Sequence, residues 1–455
     1  MIKKILIANR GEIAVRIIRA CKELDIKTVS IYSKDDEKSL HVKMADESVC
    51  VGCGKSRDTY LNMNNIISAA ICFKCDAIHP GYGFLSESYE FAKKVEDNNL
   101  IFIGPSWEVI SSMGDKIQAI NLMRKNGVRI VPGSLKEIKN YEELIEIADQ
   151  IGYPLLIKAS GGGGGRGMRK VYDKSMLKSS FESAKKESIA AFNNDSMYIE
   201  KLILNPKHIE VQILSDKYGN CISLGERDCS IQRKNQKMIE ESPCISLSES
   251  LRKKLSNQAI LAAKSCNYVG AGTVEFVMDK DNFYFIEMNT RIQVEHPVTE
   301  MATGIDIVKE QIKIASGERL SIKQEDIKFT KHAIECRINA ENPLLNFAPQ
   351  AGNIDFVNFP GGGDVRFDTY IYNGYTVSPY YDSMLGKIIV AADTRKAAIR
   401  KLRNAIEELV IDGIYTNSYL QYAILFNDDF VNGNYSTDFI EKNIDDLIKL
   451  VNVGE

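Results

Sequence analysis

The hydrophobic pattern of residues 1–110 alternates between short apolar runs and longer amphipathic stretches. Runs such as 3–8 have the length and composition of buried strands, and the stretch 12–24 repeats apolar residues at helical spacing. Regular alternation of strand and helix predicts a parallel, doubly wound sheet of the Rossmann-like class. The first turn, Asn9-Arg10-Gly11, lacks the G-x-G-x-x-G pattern, so we do not expect a dinucleotide site there.

The pattern changes after this region, where strands no longer alternate one by one with helices. Residues 197–216 predict strands on both sides of an Asn-Pro turn, and 272–290 predict a hairpin. Residues 331–446 contain further strands and an amphipathic helix. A chain of 455 residues is too long for one ordinary core, so two or three domains of mixed α/β and α+β class are expected.

Five consecutive glycines, 161–165, stand between two short apolar segments. The segment that follows predicts a strand, whereas a dinucleotide loop leads into a helix, and Met168 stands where a Walker loop has lysine. The remaining interpretation is a hairpin whose loop lays backbone N–H groups over a triphosphate, with Lys158 in reach of the phosphate oxygens. A flexible linker is the alternative, and the flanking apolar strands argue against it.

Two carboxylates and an amide lie on the predicted 272–290 hairpin. Glu287 and Asn289 are two residues apart and therefore share a face, and a three-residue loop at 280–282 would place Glu275 opposite Glu287. Like charges that face each other across strands repel, which points to a bound cation. Oxygen ligands suit Mg²⁺ or Mn²⁺ bridging ATP phosphates, although two solvated surface glutamates would give the same pattern.

Residues 290–297, "TRIQVEHP", alternate polar and apolar side chains. On a strand, this alternation would place Arg291, Gln293 and Glu295 on one face beside the metal site. A cation, an amide and a carboxylate in line can hold a small anion and remove its proton. The alternative is an ordinary polar strand face.

Composition excludes some classes of function. The net charge of −3 is too small for a nucleic-acid or membrane-surface protein, and no apolar run approaches a membrane span. The apolar N-terminal run breaks at Asn9, and no small-residue cleavage site follows. We therefore expect a cytoplasmic protein.

The cysteines offer a competing metal site. Cys50-x2-Cys53 and Cys72-x2-Cys75 satisfy four-cysteine zinc spacing. However, a predicted strand followed by a returning helix of ~15 residues would separate the two pairs by roughly 20 Å. Reduced, scattered thiols are therefore favoured, and a zinc-bearing interaction module remains the alternative.

The longer motifs "SGGGGGRGM", "ERDCSIQRKNQK", "FIEMNTRIQVEHPVTEM" and "AIECRINAE" resemble the biotin carboxylase component of biotin-dependent carboxylases, an ATP-grasp family. The resemblance covers essentially the whole chain. It implies an N-terminal Rossmann-like domain (1–113), an ATP-grasp domain (114–330) with a mobile lid (about 131–203) and a C-terminal α+β domain (331–446). The implied reaction uses ATP and bicarbonate, through carboxyphosphate, to carboxylate biotin on a carrier protein.

The resemblance also implies roles for individual residues of this sequence. The implied Mg²⁺ or Mn²⁺ ligands are Glu275, Glu287 and Asn289. The implied ATP-binding residues are Lys116, Lys158, Gly164, Gly165, Met168, Glu200, Lys201, Leu202, Ile203, His208, Gln232, Asn235, Glu275 and Glu287. The implied catalytic residues are Lys237, Arg291, Glu295 and Arg337; of these, Glu295 would be the base that activates bicarbonate and Arg337 would steady the biotin enolate. The implied bicarbonate pocket contains Lys237, Arg291, Gln293 and Val294.

Three features depart from the family pattern. Asn235 stands where histidine is usual, so nucleotide affinity is expected to change while catalysis survives. Leu202 replaces a common tyrosine at the adenine hinge, where backbone contacts dominate, and little effect is expected. The cysteines at 53, 72 and 75 are not part of the pattern. Cys229, close to Lys237 in the sequence, could suggest a thiolate–ammonium pair, but a buried, unreactive thiol is favoured.

The implied partners are a biotin carboxyl carrier protein and carboxyltransferase subunits, which we expect on separate polypeptides because no Ala-Met-Lys-Met biotinylation site is present. A homodimer is expected from the family. Acetyl-CoA, in fatty acid synthesis, is the expected final acceptor, with propionyl-CoA and pyruvate as alternatives. A carbamoyl phosphate synthetase-like ligase, which also forms carboxyphosphate, is the alternative enzyme.

Overall fold

The structure is a computed structural model, and it describes residues 2–134, 136–138, 140–160, 167–192 and 194–453. Gly164 and Gly165 therefore lie outside the described residues. Among the described residues, no helix combines the length and apolar character that crossing a bilayer requires.

The first 114 residues form a five-stranded parallel sheet in the order β3-β2-β1-β4-β5. Its strands are β1 (Lys4–Ile7), β2 (Lys27–Ser33), β3 (Glu47–Gly52), β4 (Ala77–His79) and β5 (Ile101–Phe102). Its helices are α1 (Gly11–Glu23), α2 (Leu40–Met44), α3 (Met63–Cys72), α4 (Tyr89–Asp97) and α5 (Trp107–Gly114). The central strand β1 is buried on both faces, as parallel strands covered by helices must be. The predicted Rossmann-like sheet is confirmed.

A small three-stranded antiparallel sheet follows, in the order β7-β6-β8. Its elements, after α6 (Lys116–Lys125), are α7 (Tyr141–Ile151), β6 (Leu155–Ala159), β7 (Arg169–Val171), α8 (Leu177–Phe192) and β8 (Met197–Lys201). Leu155, Ile157, Val171 and Ile199 form its core with the helices. Strand β7 comes directly after the glycine-rich segment, so the prediction of a strand rather than a helix at that point is confirmed.

The largest sheet has eight strands, in the order β13-β12-β9-β10-β11-β14-β21-β19. The strands of the rest of the chain are β9 (Lys207–Ser215), β10 (Cys221–Arg233), β11 (Gln236–Ser242), β12 (Gly270–Asp279), β13 (Asn282–Asn289), β14 (His332–Asn339), β15 (Glu341–Asn342), β16 (Ala348–Pro349), β17 (Gly352–Asn353), β18 (Phe356–Asn358), β19 (Val365–Thr369), β20 (Thr376–Val377), β21 (Met384–Ala392) and β22 (Val410–Asp412). The helices are α9 (Glu249–Ser265), α10 (His296–Thr303), α11 (Ile307–Ala315), α12 (Arg395–Glu408), α13 (Ser418–Ile424), α14 (Asp428–Asn432) and α15 (Phe439–Val453). The predicted strands on both sides of the Asn-Pro turn are β8 and β9, which belong to different sheets.

The large sheet continues across the predicted domain boundary at 330/331. Strand β11, before this boundary, pairs antiparallel with β14, after it, with Ile239 opposite Cys336. Apolar side chains of both strands share one core with α12, α13 and α15. The ATP-grasp part and the C-terminal part are therefore joined by backbone hydrogen bonds.

The predicted hairpin is formed by β12 and β13, and Glu275 lies opposite Glu287 as expected. The connection is shorter than predicted, because Asp279 pairs with Asn282 and leaves a two-residue turn. A β-bulge between the Glu275 and Phe276 pairs absorbs the missing residue. The bulge restores the register in which the two carboxylates face each other.

Residues 290–295 do not form the predicted strand. They make an irregular turn that leads into α10, which begins at His296 and carries Pro297 in its first turn. Proline there has no N–H to leave unpaired and its fixed φ suits a helix start. The alternation of polar and apolar side chains at 290–295 therefore belongs to a turn and not to a strand.

Candidate active site

A cavity of about 1320 Å³ opens where the first sheet, the small sheet and the large sheet meet. It is lined by every predicted site residue that the structure describes. These residues are Lys116, Lys158, Met168, Glu200, Lys201, Leu202, Ile203, His208, Gln232, Asn235, Lys237, Glu275, Glu287, Asn289, Arg291, Gln293, Val294, Glu295 and Arg337. The roles assigned to them stay predictions, but their convergence on one cavity is a structural fact.

One row of charged side chains runs across four strands of the large sheet. Strand pairing places Arg227 opposite Glu210, Glu210 opposite Glu275, and Glu275 opposite Glu287. Directly paired residues point to the same face, and two members of this row, Glu275 and Glu287, line the cavity. Glu210 is fully buried and binds Arg227 Nε through Oε1 at 2.5 Å. Such burial requires paired charges, because an isolated carboxylate would be protonated instead.

Lys237, on β11, is the central cation of the cavity. Its Nζ lies 2.5 Å from Glu210 Oε2, 3.0 Å from Glu275 Oε1 and 2.6 Å from Glu295 Oε1. Burial opposes its charge, but the three carboxylates outweigh burial and raise the pKa of Lys237 well above its ordinary value. The Lys237 side chain is therefore protonated at neutral pH, and its positive charge can attract an anionic substrate.

Glu295 lies between two cations. Its second oxygen, Oε2, accepts a hydrogen bond of 3.0 Å from Arg337 Nη2. Although burial favours the protonated acid, Lys237 and Arg337 hold the pKa of Glu295 well below its ordinary value. Glu295 is therefore a carboxylate at neutral pH, which is the form that a general base requires.

Arg337, on β14, forms an ion pair with Glu240. Glu240 Oε1 accepts from Arg337 Nε at 2.8 Å and contacts Nη2 at 2.6 Å. Burial raises the pKa of Glu240 to about 7. Nη2 of the guanidinium therefore contacts both Glu240 and Glu295, and Arg337 lines the cavity.

Arg291 is oriented by a residue of the first sheet region. Its Nε donates to Glu87 Oε2 at 2.8 Å, and its Nη1 donates to Gln293 Oε1 at 2.8 Å. Gln293 Nε2 in turn donates to Glu275 Oε1 at 3.2 Å. Arg291, Gln293 and Glu295 therefore converge on the cavity as predicted, although a turn brings them together rather than a strand.

Two of the predicted nucleotide residues, Lys116 and Lys158, form ion pairs in the cavity wall. Lys116 Nζ lies 3.0 Å from Glu287 Oε2, and Lys158 Nζ lies 2.5 Å from Glu200 Oε1. Each lysine has a carboxylate partner in the structure, and phosphate oxygens are the same kind of partner. The segment 201–203, at the end of β8, completes this wall.

Asn235 lies in the two-residue turn between β10 and β11, at the cavity wall. Lys234 and Asn235 have φ of 49° and 63°. Asparagine tolerates this left-handed conformation better than most residues, and such turns favour it. Asparagine in place of the histidine that is usual in the family is therefore compatible with the backbone of this turn.

The cysteine near the cavity, Cys229, and the four cysteines at 50–75 differ in solvent exposure. Cys229 is fully buried, and burial raises the pKa of its thiol well above the ordinary value, which agrees with an unreactive thiol. Cys50, Cys53 and Cys72 are exposed and Cys75 is buried. Within the described part of the chain, the groups of side chains close enough to hold a metal do not include these four cysteines.

The predicted ligand set fits Mg²⁺ or Mn²⁺. Glu275 accepts hydrogen bonds from Lys237, Asn289 Nδ2 and Gln293 Nε2 through one oxygen, and His208 Nε2 lies 3.1 Å from the other. Although burial favours the protonated acid, Lys237 and His208 hold the pKa of Glu275 well below its ordinary value. Side-chain oxygens of two carboxylates and an amide are the donors that hard divalent cations prefer.

Several site residues were missed by the sequence analysis, namely Glu210, Arg227, Glu240 and Glu87. One signal was present for Glu210: His208, Glu210 and Gln212 alternate with apolar residues along β9. Polar residues at every second position of an otherwise apolar strand indicate a buried polar face. Glu87 is the last residue of the glycine-containing segment 79–87, which comes just after a strand end, where open sheets place ligands.

Comparison with known proteins gives the same family along the whole chain. Models of the biotin carboxylase N-terminal domain, the carbamoyl-phosphate synthase L chain ATP-binding domain and the biotin carboxylase C-terminal domain match residues 1–110, 115–323 and 335–442. Biotin carboxylase 1 of Bacillus subtilis is 53% identical over 443 residues, which are 97% of this chain and 98% of that protein.

Solved structures of biotin carboxylases are similar to this chain over almost its full length. The biotin carboxylase domain dimer of the Hydrogenobacter thermophilus 2-oxoglutarate carboxylase, in complex with MgADP, ADP and bicarbonate, has a TM-score of 0.94 at 50% identity and covers 97% of this chain and 98% of its own. A biotin carboxylase–beta-gamma-ATP complex from Campylobacter jejuni has a TM-score of 0.95 at 48% identity, over 97% and 99% of the two chains. The chain described here belongs to the biotin carboxylase family.

Proposed function

We propose that this protein uses ATP and bicarbonate to carboxylate biotin on a carrier protein. The observation that carries the proposal is the contact of Glu295 with both Lys237 and Arg337, at 2.6 and 3.0 Å. These contacts support the proposal, because Lys237 is a cation suited to an anionic substrate, Arg337 has a fork suited to a planar ureido oxygen, and a carboxylate between them can act as the base.

The first step follows from the charges around Glu295. Bicarbonate lies against Lys237 and Arg291, and Glu295 takes its proton. The resulting oxygen nucleophile attacks the γ-phosphorus of ATP, ADP leaves, and carboxyphosphate forms. Lys116 and Lys158 bind the phosphates in place of their present carboxylate partners. Glu275, Glu287 and Asn289 would hold Mg²⁺, which would neutralise phosphate charge.

The second step needs an enolate-like biotin. Carboxyphosphate breaks down to CO₂ and phosphate, the released phosphate takes the ureido N–H proton of biotin, and the resulting nitrogen nucleophile attacks the CO₂ carbon. Negative charge then collects on the ureido oxygen, where the Arg337 guanidinium stabilises it. Glu240 keeps the guanidinium in place during this charge build-up.

The test measures ADP release from the purified chain with ATP, Mg²⁺, bicarbonate and free biotin. Glu295→Gln is expected to lower biotin-dependent ADP release by roughly 10²- to 10⁴-fold, the usual contribution of a general base. Arg337→Ala is expected to remove the dependence on biotin. Glu226→Gln is the matched control, because Glu226 is equally buried but binds Arg252 and the Cys244 N–H outside the cavity.

Two results would contradict the proposal. ADP release by the wild type that is indifferent to biotin would exclude biotin carboxylation. Formation of a product that requires ammonia and no biotin would indicate the carbamoyl phosphate synthetase-like alternative.

We propose further that a separate carrier protein brings the biotin, that carboxyltransferase subunits use the product, and that the chain works as a homodimer. Acetyl-CoA, in fatty acid synthesis, is the proposed acceptor, with propionyl-CoA and pyruvate as the alternatives. The test is to isolate the carrier protein that binds this chain, together with its carboxyltransferase, and to identify the acceptor that the transferase carboxylates. Carboxylation of propionyl-CoA or pyruvate instead of acetyl-CoA would overturn this assignment.

A further inference from the structure

Lys387, on β21, is a fully buried lysine directly beneath the 291–295 turn. Its Nζ donates to the backbone carbonyl of Val294 at 2.5 Å and lies 3.1 Å from Glu12 Oε1. Glu12 is also buried, and it accepts a hydrogen bond from the Tyr82 hydroxyl. One ammonium therefore connects β21, the start of α1 and the turn that contains Glu295.

The sheet determines where Lys387 points. Its cross-strand neighbours are Arg337 on β14 and Asp368 on β19. Directly paired residues share a face, so Lys387 rises from the same face as Arg337. The two cations approach the same turn from below, Arg337 at the Glu295 carboxylate and Lys387 at the preceding peptide group.

The turn is held at two successive carbonyls. His296 Nδ1 lies 2.7 Å from the carbonyl oxygen of Gln293, and Lys387 binds that of Val294. Burial and nearby cations hold the pKa of His296 well below its ordinary value, so this contact is made by a neutral ring. Because these residues form no strand, such contacts replace the ladder hydrogen bonds that would otherwise fix the backbone.

Burial of a lysine is costly unless its charge is paired and its protons are bound. A buried ion pair retained only for stability can often be replaced as a whole by apolar side chains with little loss, whereas removal of one partner leaves a buried, unpaired charge. Here the ammonium is bound to a carbonyl between Gln293 and Glu295, two residues of the predicted site. This location indicates a role in the geometry of the site.

We propose that Lys387 is a positioning residue, which orients the Val294 peptide and the Glu295 carboxylate for bicarbonate by holding the Val294 carbonyl. The inference rests on the proposed function and extends it to a residue outside the cavity lining. Lys387 holds a carbonyl of the predicted bicarbonate pocket, so its removal is expected to affect bicarbonate more than ATP.

The test is Lys387→Met, which keeps a long unbranched side chain and removes the ammonium. We expect KM for bicarbonate to rise by about tenfold or more, as for loss of a charge-assisted hydrogen bond, while KM for ATP changes by no more than about twofold. A crystal structure of K387M is expected to show the 293–295 turn displaced, a readout that does not depend on activity.

Arg395→Met is the matched control. Arg395 is also buried, and it binds Glu241 and the carbonyls of Phe430 and Val431, away from the cavity. We expect R395M to lower the melting temperature without a change in KM for bicarbonate. A general loss of stability would therefore not imitate the predicted effect.

A second variant covers the case in which K387M does not fold. Glu12→Gln removes the counter-ion but keeps a carbonyl oxygen for Lys387, and it is expected to raise KM for bicarbonate to a smaller degree. The inference would be overturned if K387M had the wild-type KM for bicarbonate and an undisplaced turn. If K387M is insoluble, a wild-type KM for bicarbonate in E12Q would overturn it. Absence of biotin-dependent ADP release in the wild type would overturn the proposed function instead, and the displacement of the turn could still be measured.

Discussion

Glu241 lies outside the cavity, yet it is as fully paired as the carboxylates inside it. Its oxygens accept hydrogen bonds from His332 Nε2 at 2.7 Å, from Arg395 Nε at 2.6 Å and from the Tyr435 hydroxyl. Although burial favours the protonated acid, His332 and Arg395 lower the pKa of Glu241 to about 2. This carboxylate therefore stabilises the fold, and its contribution depends on pH.

Replacement of Glu241 by glutamine tests this dependence. A lowered pKa means that the carboxylate stabilises the native state above the ordinary value of 4.5 and loses this effect as pH falls toward 2. We expect E241Q to lose on the order of 3 kcal/mol of unfolding free energy at pH 7, measured by urea denaturation, and the difference from wild type to shrink below pH 4.5.

Exposed Glu318 provides the control for this experiment. Glu318→Gln is expected to change the unfolding free energy by no more than about 0.5 kcal/mol at either pH, as for most surface substitutions. A constant difference between E241Q and wild type down to pH 3 would contradict the role given to the charge of Glu241.

Sequence spacing was sufficient for residues that share one segment. Glu287 and Asn289 were predicted on one face because two residues apart on a strand means the same side, and the structure agrees. Glu210 and Glu240 were missed because their partners, Arg227 and Arg337, come from other strands. Only the register between strands brings such partners together, and register leaves little trace in one sequence.

At the scale of elements, the β12–β13 hairpin was predicted correctly by a partly wrong argument. The facing of Glu275 and Glu287 was expected from a three-residue loop, but it results from a two-residue turn and a bulge. The strand predicted at 290–297 was wrong, because alternation alone cannot distinguish a strand from a turn whose carbonyls are bound by His296 and Lys387. The helix signal of Pro297 was the better guide.

The glycine-rich loop gives a prediction for the β6–β7 hairpin. Gly164→Val or Gly165→Val is expected to raise KM for ATP by about tenfold, because a branched side chain would keep the loop backbone from approaching the phosphates. The melting temperature is expected to stay unchanged. Both quantities are measured by steady-state kinetics and thermal denaturation.

A second glycine run in this chain supplies the control. A side chain added at Gly361 would meet no atom within 4 Å, so Gly361→Val is expected to leave KM for ATP unaltered. Wild-type kinetics in both loop variants would return the 161–165 run to a linker.

At the scale of the whole molecule, metal removal separates catalysis from folding. Chelation by EDTA is expected to abolish ADP release, while the melting temperature of the unliganded protein changes by no more than about 1 °C. The reason is that Glu275 already has Lys237, Asn289 and Gln293 as partners without a metal. Added Mg²⁺ should restore activity.

Metal analysis of the same preparation tests the zinc alternative. Stoichiometric zinc, together with a fall of the melting temperature on chelation, would contradict this prediction. It would direct attention to Cys50, Cys53, Cys72 and Cys75, since structural zinc sites contribute directly to folding.

The division of the chain into three parts was predicted from motifs, and strand pairing between parts was not. Strand β14 carries no local signal that its partner is β11, some 90 residues earlier. Local patterns specify which segments become strands, and tertiary packing selects their neighbours. The domain boundaries therefore stay predictions.

The pairing of β11 with β14 has a consequence for dissecting this protein. A fragment that begins at 331 would expose the whole edge of β14, and a fragment that ends at 330 would expose β11. Unpaired edges of this kind favour aggregation, so neither fragment is suited to expression alone. The same edges are complementary to each other, which makes the connection before β14 a suitable place to split the gene for fragment complementation.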